Sequence, residues 1–447
     1  MLGRETVQDL SKEVLRRCGN DPAEVIVSLE NQALTRFARN HIHQNVAEAN
    51  ATVVVRLLRG KRLGLATTNR TDGESLGKAV ERARMNAEAS PEDPDYPGLP
   101  DPARYVTVDS FDPFTADYAP EARAEGVGEI CRLAAERRLS ASGAFSTGTS
   151  EIGVANSLGL YGYHCSTHAD LQTVVTTENS SGRVQASAWR VGDIPVESLA
   201  REAIAKAEKG RNPRRIDPGE YAVVLSPQGT EDLLMMLNLH GMGAQSVLEG
   251  RSWMNDRLGK KVMSDLVDIW DDGLDPAGMP LPFDFEGVPK QRVDIVHRGV
   301  VKSPVHDRIT ARKMGRWSTG HARPPALRTL GPTATSLFMA PGTVDTEEMI
   351  RATRRGLYIT RFWYTRLVHP RDCTTTGMTR NGVFVIENGE PAYPVNNLRF
   401  TQSYVEALAN VELVGRKTCL LASEFGGHAT RVPAVKIGRF TFTGSTV

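Results

Sequence analysis

The chain lacks any run approaching the roughly eighteen consecutive apolar residues that a membrane-spanning helix requires. Its apolar stretches stop at short segments such as residues 221–225. An excess of either charge is also missing, since 54 Lys and Arg stand against 53 Asp and Glu for a net charge of +1. Electrostatic binding of nucleic acid or anionic lipid needs a basic surplus, so neither partner is expected. Cysteine is sparse: Cys18, Cys131, Cys165, Cys373 and Cys419 are odd in number, scattered, and form no C-x-x-C pair. That pattern excludes a disulfide frame or zinc ribbon and fits reduced thiols. The first residues lack the apolar core and cleavage site of a secretory signal, which gives a cytoplasmic expectation. Also absent are a G-x-x-x-x-G-K-[ST] phosphate loop, a G-x-S-x-G nucleophile elbow and an H-E-x-x-H zinc helix. Gly241-Met242-Gly243 lacks a third glycine and lies at the wrong end of a helix to hold a dinucleotide.

The 447 residues, with 40 Gly and 25 Pro, allow about three domains rich in turns. Val7, Leu10, Val14 and Leu15 share a helical face, and residues 24–30, 51–58 and 63–66 read as strands. Leu76, Ala79, Val80 and Ala83 mark a helix that runs into the Pro-rich stretch 90–102, a first boundary. The pattern recurs with a helix at 121–138, strands at 151–155 and 184–190, and a helix through Leu199, Ala203, Ile204 and Ala207. The echo between 198–207 and 75–83 suggests an internal duplication, although Ala-rich helices that merely look alike explain it equally well. A second boundary falls at 211–215, and after a helix at 230–240 the rest is mainly strands and turns. Asn388-Gly389 predicts a two-residue type I′ hairpin. Asp345 to Glu348 opens a short helix as a capping box, with Gly356 expected to close it. The expected fold is α+β: a mixed α/β N-terminal half with an internal repeat, then a mainly-β C-terminal domain with a few helices. The expected domains are 1–103, 104–216 and 217–447.

Asp268, Asp271, Asp272, Asp275, Asp284 and Glu286 offer hard oxygen ligands, but their spacing fits turns better than a calcium loop. His41 and His43 share a strand face without a third ligand. The other histidines of the C-terminal half, among them His297, His306, His369 and His428, come together only if the fold brings them. Ser318-Thr319-Gly320-His321 forms a small polar turn with an imidazole, suited to lining a cleft or to satisfying its own amides.

Read in order, several blocks resemble the TldD/PmbA family of peptidase-related proteins. They include Glu249-Gly250-Arg251-Ser252, Phe283-Asp284-Phe285-Glu286-Gly287, Thr310-Ala311-Arg312-Lys313-Met314-Gly315, Ser318-Thr319-Gly320-His321 and Met339-Ala340-Pro341-Gly342, with Ile42-His43-Gln44-Asn45 upstream. The resemblance spans nearly the whole chain. It implies a cytosolic heterodimeric metalloprotease in which the TldD subunit carries zinc on H-E-x-x-x-H plus a later cysteine, and the TldE (PmbA) subunit lacks the metal. The gap-free register from Ser252 sets that motif on Met235-Met236-Leu237-Asn238-Leu239-His240, so only the second histidine is present. A thioether neither replaces the imidazole ligand of a peptidase zinc nor accepts a proton. Where the later ligand would stand the chain has 424–428, and Cys419 upstream is expected to be a buried structural thiol.

The resemblance therefore implies a metal-free TldE-like subunit with no catalytic residue, no metal ligand of its own and a vestigial His240. Zinc is expected in a TldD-like partner subunit. Peptides are the expected substrates, with Ser318, Thr319, Gly320 and His321 as peptide-contacting residues, and self-association into a homodimer stays open. Two alternatives remain: a self-sufficient metallopeptidase using His240, His321, His428 and the Asp cluster, or an interaction protein of the gyrase-modulator type.

Overall fold

A computed structural model describes residues 1–423 and 428–445. The N-terminal half is built from one motif used twice. Helix α1 (Arg4–Cys18) leads to strands β1 (Ala23–Ala38), β2 (His41–Arg59) and β3 (Arg62–Thr68) and helix α2 (Gly73–Ala89). After a short α3 (Pro113–Ala116), helix α4 (Pro120–Glu136) leads to β4 (Ser140–Asn156), β5 (Tyr161–Thr176), β6 (Ser181–Ala188) and α5 (Val196–Lys209). The strand order β3-β2-β1-β4-β5-β6 is a palindrome whose centre is the antiparallel β1–β4 pair. Segments 1–103 and 104–216 therefore contribute to one six-stranded sheet, and the echo between α2 and α5 has a counterpart in topology.

Amphipathic helices cover one face of this sheet. Leu76, Ala79, Val80 and Ala83 of α2 are buried with Val25, Val53 and Val55 below them, while α4 and α5 cover Phe145, Leu171 and Val184. The alternating burial along β5 falls partly on small or polar residues such as Gly162, His164 and Thr167, so hydrophobicity alone does not reveal the strand. This is why the whole of β5 and the first half of β4 went unpredicted, together with the outer half of β1.

The C-terminal half begins with β7 (Gly219–Leu225) and helix α6 (Pro227–Leu237), then α7 (Ala244–Leu248), β8 (Ile269–Asp271), β9 (Val293–His297), β10 (Val300–Val301) and α8 (Arg308–Lys313). It continues through β11 (Ser336–Met339), α9 (Thr346–Arg351), β12 (Arg355–His369), β13 (Thr374–Glu387), β14 (Glu390–Pro394) and β15 (Leu398–Ser403). Helix α10 (Tyr404–Ala409) and strands β16 (Val411–Ala422) and β17 (Ala429–Ser445) complete it. Strand β7 pairs with β12 on one side and β17 on the other, so the path β17-β15-β13-β12-β7 closes on itself. Phe362, Phe400 and Phe440 pack together in this closed sheet with centroids 4.7 to 5.4 Å apart. The α+β expectation holds. Asn388 and Gly389 have φ of 52° and 82°, as a type I′ turn between β13 and β14 requires. The Glu348 carboxylate accepts from the Asp345 amide at 2.7 Å, the reciprocal half of a capping box. Gly356, expected to close that helix, instead lies inside β12, because the helix ends at Arg351. Among the described residues no helix is long and apolar enough to cross a membrane.

The two halves meet through the 282–289 loop. Phe283 is fully buried against Ile26, Ile152, Val154 and Leu160 of the N-terminal sheet, and Tyr105 donates to the Gly287 carbonyl at 2.7 Å. Gly287 has φ of 75°, and a Cβ there would come within 2.7 Å of Leu160. Phe283→Ala leaves a cavity at this junction and is expected to cost about 3–5 kcal/mol in urea unfolding. A loss below about 1 kcal/mol would show that the two halves are not fastened here.

Candidate functional site

Helix α6 starts at Pro227, whose missing N–H costs nothing in the first turn. Leu233, Leu234 and Leu237 are fully buried, and Met235 and Met236 are nearly so. A helix apolar on every side belongs inside a domain, and this one lies against β12 and β17. Beyond Leu237 it widens into a π-helical turn, Asn238–Met242. Side chains brace the turn: Trp253 Nε1 donates to the Leu237 carbonyl at 2.9 Å and Ser252 Oγ to the Gly241 carbonyl at 2.6 Å. Gly241 is required, because a Cβ there would meet Trp253 Cδ1 at 2.1 Å. The turn has a geometric consequence. In a regular α-helix, residues five apart point about 140° away from each other. A turn with i→i+5 hydrogen bonds brings them toward one face, and such turns are frequent at functional sites. Met235 lies in α6, three residues before this turn, and His240 lies within it.

Met235 faces a cleft of about 260 Å³ between the two halves, together with Gln228 and Asp232 of α6, Gln185 of β6, and residues 361–366 of β12. Asp232 is buried and accepts from Thr365 Oγ1 at 3.0 Å and the Tyr404 hydroxyl at 2.7 Å. Burial and the Asp232 charge push the Tyr404 hydroxyl well above its usual pKa, so it stays a donor. At the mouth, the guanidinium of Arg361 lies 4.8 Å and that of Arg380 5.3 Å from the Trp363 ring. Tyr364 is two-thirds exposed with φ of 59°, where the β12–β13 register slips. The cleft thus offers aromatic and guanidinium faces with a buried carboxylate behind them. Its residues come from separate elements, and only the Glu231-Asp232 pair ahead of Leu233 in an otherwise apolar helix signals it in the sequence.

Ser318-Thr319-Gly320-His321 lies elsewhere, in a buried network. His321 Nε2 is 2.7 Å from Asp271 Oδ1, and its Nδ1 is 2.9 Å from Thr319 Oγ1. A carboxylate only accepts, so Nε2 carries the hydrogen. Burial, and then the nearby Lys290 ammonium, hold His321 below its ordinary pKa. Lys290 Nζ sits 3.8 Å from Asp271 and donates to Thr335 Oγ1 at 2.7 Å. Asp271 Oδ2 takes the Thr335 and Ser336 amides, each at 2.7 Å. Gly320 and His321 are buried and Ser318 and Thr319 half-buried, and the hydrogen bonds of the segment tie it to the neighbouring loops.

The acidic cluster is not a set of simple surface turns. Asp271, Asp284 and Glu286 are buried, and Asp284 accepts from the amides of Glu286, Val288 and Ala322, each at 2.9 Å. Glu286 has one long contact, from the Arg308 amide at 3.4 Å. Burial pushes its carboxyl up to about 8, with Asp284 and Asp307 adding to the rise and Arg56 opposing it. His41 and His43 stand exposed on β2. Cys419 is exposed on β16, not buried as expected, because its side chain lies on the outward face of the strand. Of the segment 424–428, residues 424–427 lie outside the described residues. Among the described residues no three His, Cys, Asp or Glu side chains are grouped to hold a metal ion. Met235 and Met236 do not fit a peptidase zinc.

Comparison with known proteins now decides the family. The PmbA/TldA metallopeptidase C-terminal domain matches residues 218–444, its domain 1 matches 23–87 and its central domain 116–211. The chain belongs to the PmbA/TldA metallopeptidase family. It is 24% identical to the metalloprotease PmbA of Escherichia coli O157:H7 over 89% of this chain and 88% of that protein. It is 27% identical to a metalloprotease TldD homolog of Buchnera aphidicola over 50% of this chain, spanning about half, 46%, of that relative's length. Its fold matches TldE from Thermococcus kodakarensis with a TM-score of 0.88 at 20% identity, covering 98% of this chain and 100% of the other.

The raised Glu286 pKa has a sign. The folded protein keeps this proton at pH values where the unfolded carboxyl, near 4.5, has lost it. Its contribution to stability is therefore full below about pH 4.5 and is lost as pH rises toward about 8. Glu286→Gln should flatten the fall in urea-unfolding free energy across that range. An unchanged slope would contradict a buried protonated Glu286.

Proposed function

We propose that this chain is a metal-free, TldE-like subunit that pairs with a TldD-like zinc subunit, and that the pair trims or degrades unfolded peptides. The observation that carries this reading is Met235 and Met236 standing in the register of a zinc ligand and its neighbouring base. A peptidase zinc needs three protein ligands, an open position for water and a carboxylate beside it. Here the register retains His240 alone, and His240 lies on the π turn Asn238–Met242.

Such a subunit contributes surface instead of chemistry. It would wall the chamber around the partner's zinc, limit entry to extended chains and hold the active partner in shape. The aromatic and guanidinium mouth of the cleft supports a peptide-facing role, because it favours side chains over metal chemistry. A self-sufficient metal site at Asp271 and His321 is disfavoured by Lys290, whose ammonium already supplies the cation there. A near-zero net charge weighs against direct action on DNA.

Co-expression with a TldD-like subunit tests the proposal. The purified pair is expected to carry about one zinc and to cleave an unfolded peptide, while this chain alone does neither. Stoichiometric zinc together with cleavage by the isolated chain would overturn it.

A further inference from the structure

Strands β12 and β13 form a long antiparallel pair whose register slips on either side of Arg361, between Ile359 and Arg361 and again between Trp363 and Arg366. At the first slip β13 carries the extra residue, and Asn381 there has φ of 58°. At the second β12 carries it, and Tyr364 there has φ of 59°. Asparagine tolerates the left-handed region, but a bulky tyrosine adopts it only at a cost, and such outliers cluster at ligand sites. Bulges of this kind bend a strand and re-aim its side chains.

Between the two slips Arg361 stands directly opposite Arg380. Like charges facing each other across an antiparallel pair are destabilising. Both guanidiniums lie against one indole, 4.8 and 5.3 Å from the Trp363 ring centre. They are thus no more than about 10 Å apart, within a Debye length at about 0.1 M salt. A third guanidinium, that of Arg366, lies 5.0 Å from the Tyr364 ring centre. Arg366 and Arg380 are exposed. Arg366 donates to the Thr365 carbonyl at 2.7 Å, and among the described residues neither Arg366 nor Arg380 is paired with a carboxylate. With Arg183, four guanidiniums surround the cleft against two carboxylates, Glu231 and Asp232. Asp232 is engaged by the Thr365 and Tyr404 hydroxyls. Surplus cations, a like-charge pair and a strained tyrosine meet at one opening, and an anion placed there relieves the repulsion. A guanidinium stacked by its face on a ring keeps its in-plane N–H groups for an acceptor, and its fork matches the two oxygens of a carboxylate.

We infer that this mouth is a carboxylate subsite for peptides: Arg366 and Arg380 hold an α-carboxylate or an Asp or Glu side chain, Arg361 adds its charge from the buried side, and Trp363 and Tyr364 cover the adjoining residue. It rests on the peptide-facing role proposed for the cleft and narrows the class to peptides that present a carboxylate.

Fluorescence anisotropy with three unstructured peptides bearing an uncharged dye tests it, on this chain with and without a TldD-like subunit. One peptide carries only a free α-carboxylate, one is amidated and carries a single central Glu, and one is amidated with Gln in place of that Glu. At least one carboxylate peptide should bind about tenfold more tightly than the neutral one, and which of the two does so separates the α-carboxylate from a side chain. Arg366→Gln and Arg380→Gln change exposed positions and should each erase most of that preference. Arg82→Gln, which removes an exposed charge on α2, should keep it. Equal binding of all three peptides, or an equal loss in Arg82→Gln, would overturn the carboxylate subsite and leave the peptide-facing cleft standing. No binding of any peptide, with or without the second subunit, would overturn both.

Discussion

The cleft depends on the burial of helix α6 on every side. Its apolar residues fix it against β12 and β17, and a π turn, Asn238–Met242, follows it. A helix so enclosed tolerates a charged metal only where ligands face the single opening, because an unpaired buried charge is far costlier than a buried thioether. Methionine at both positions removes that cost while filling the volume, which its flexible side chain does well in irregular gaps.

Around this helix the two halves are joined by buried polar contacts as well as apolar ones. Phe283 supplies the apolar anchor, and Asp284 ties its own loop to Ala322, next to the His321–Asp271 pair. The Ser318 to His321 segment thus belongs to the machinery that holds loops in register.

Local chemistry was legible in the sequence where a few adjacent residues decide the outcome. The helices carrying Leu76 to Ala83 and Leu199 to Ala207, the Asn388-Gly389 turn and the Asp345–Glu348 pair could all be read from spacing. The family blocks were legible too, because they recur in order. Long-range arrangement was not. The closure of β7 onto β17, the burial of Asp284 and Glu286, and the meeting of Asp232, Thr365 and Tyr404 depend on pairings between residues more than a hundred positions apart. Strand β5 was hidden because part of its buried face is glycine, histidine and threonine. Cys419 was misjudged because a single residue carries no information on which face of its strand it occupies.

In the proposed reading, Met235 and Met236 stand where a zinc subunit carries a ligand and its neighbouring base. Met235→His combined with Met236→Glu restores the H-E-x-x-x-H pattern with His240, and zinc titration by calorimetry on the folded variant measures the consequence. The account predicts zinc binding at least about tenfold tighter than in the wild-type chain, the gain of one added imidazole facing a second. Equal affinity in the two proteins would mean that residues 235 and 240 do not share a face, and would contradict the account.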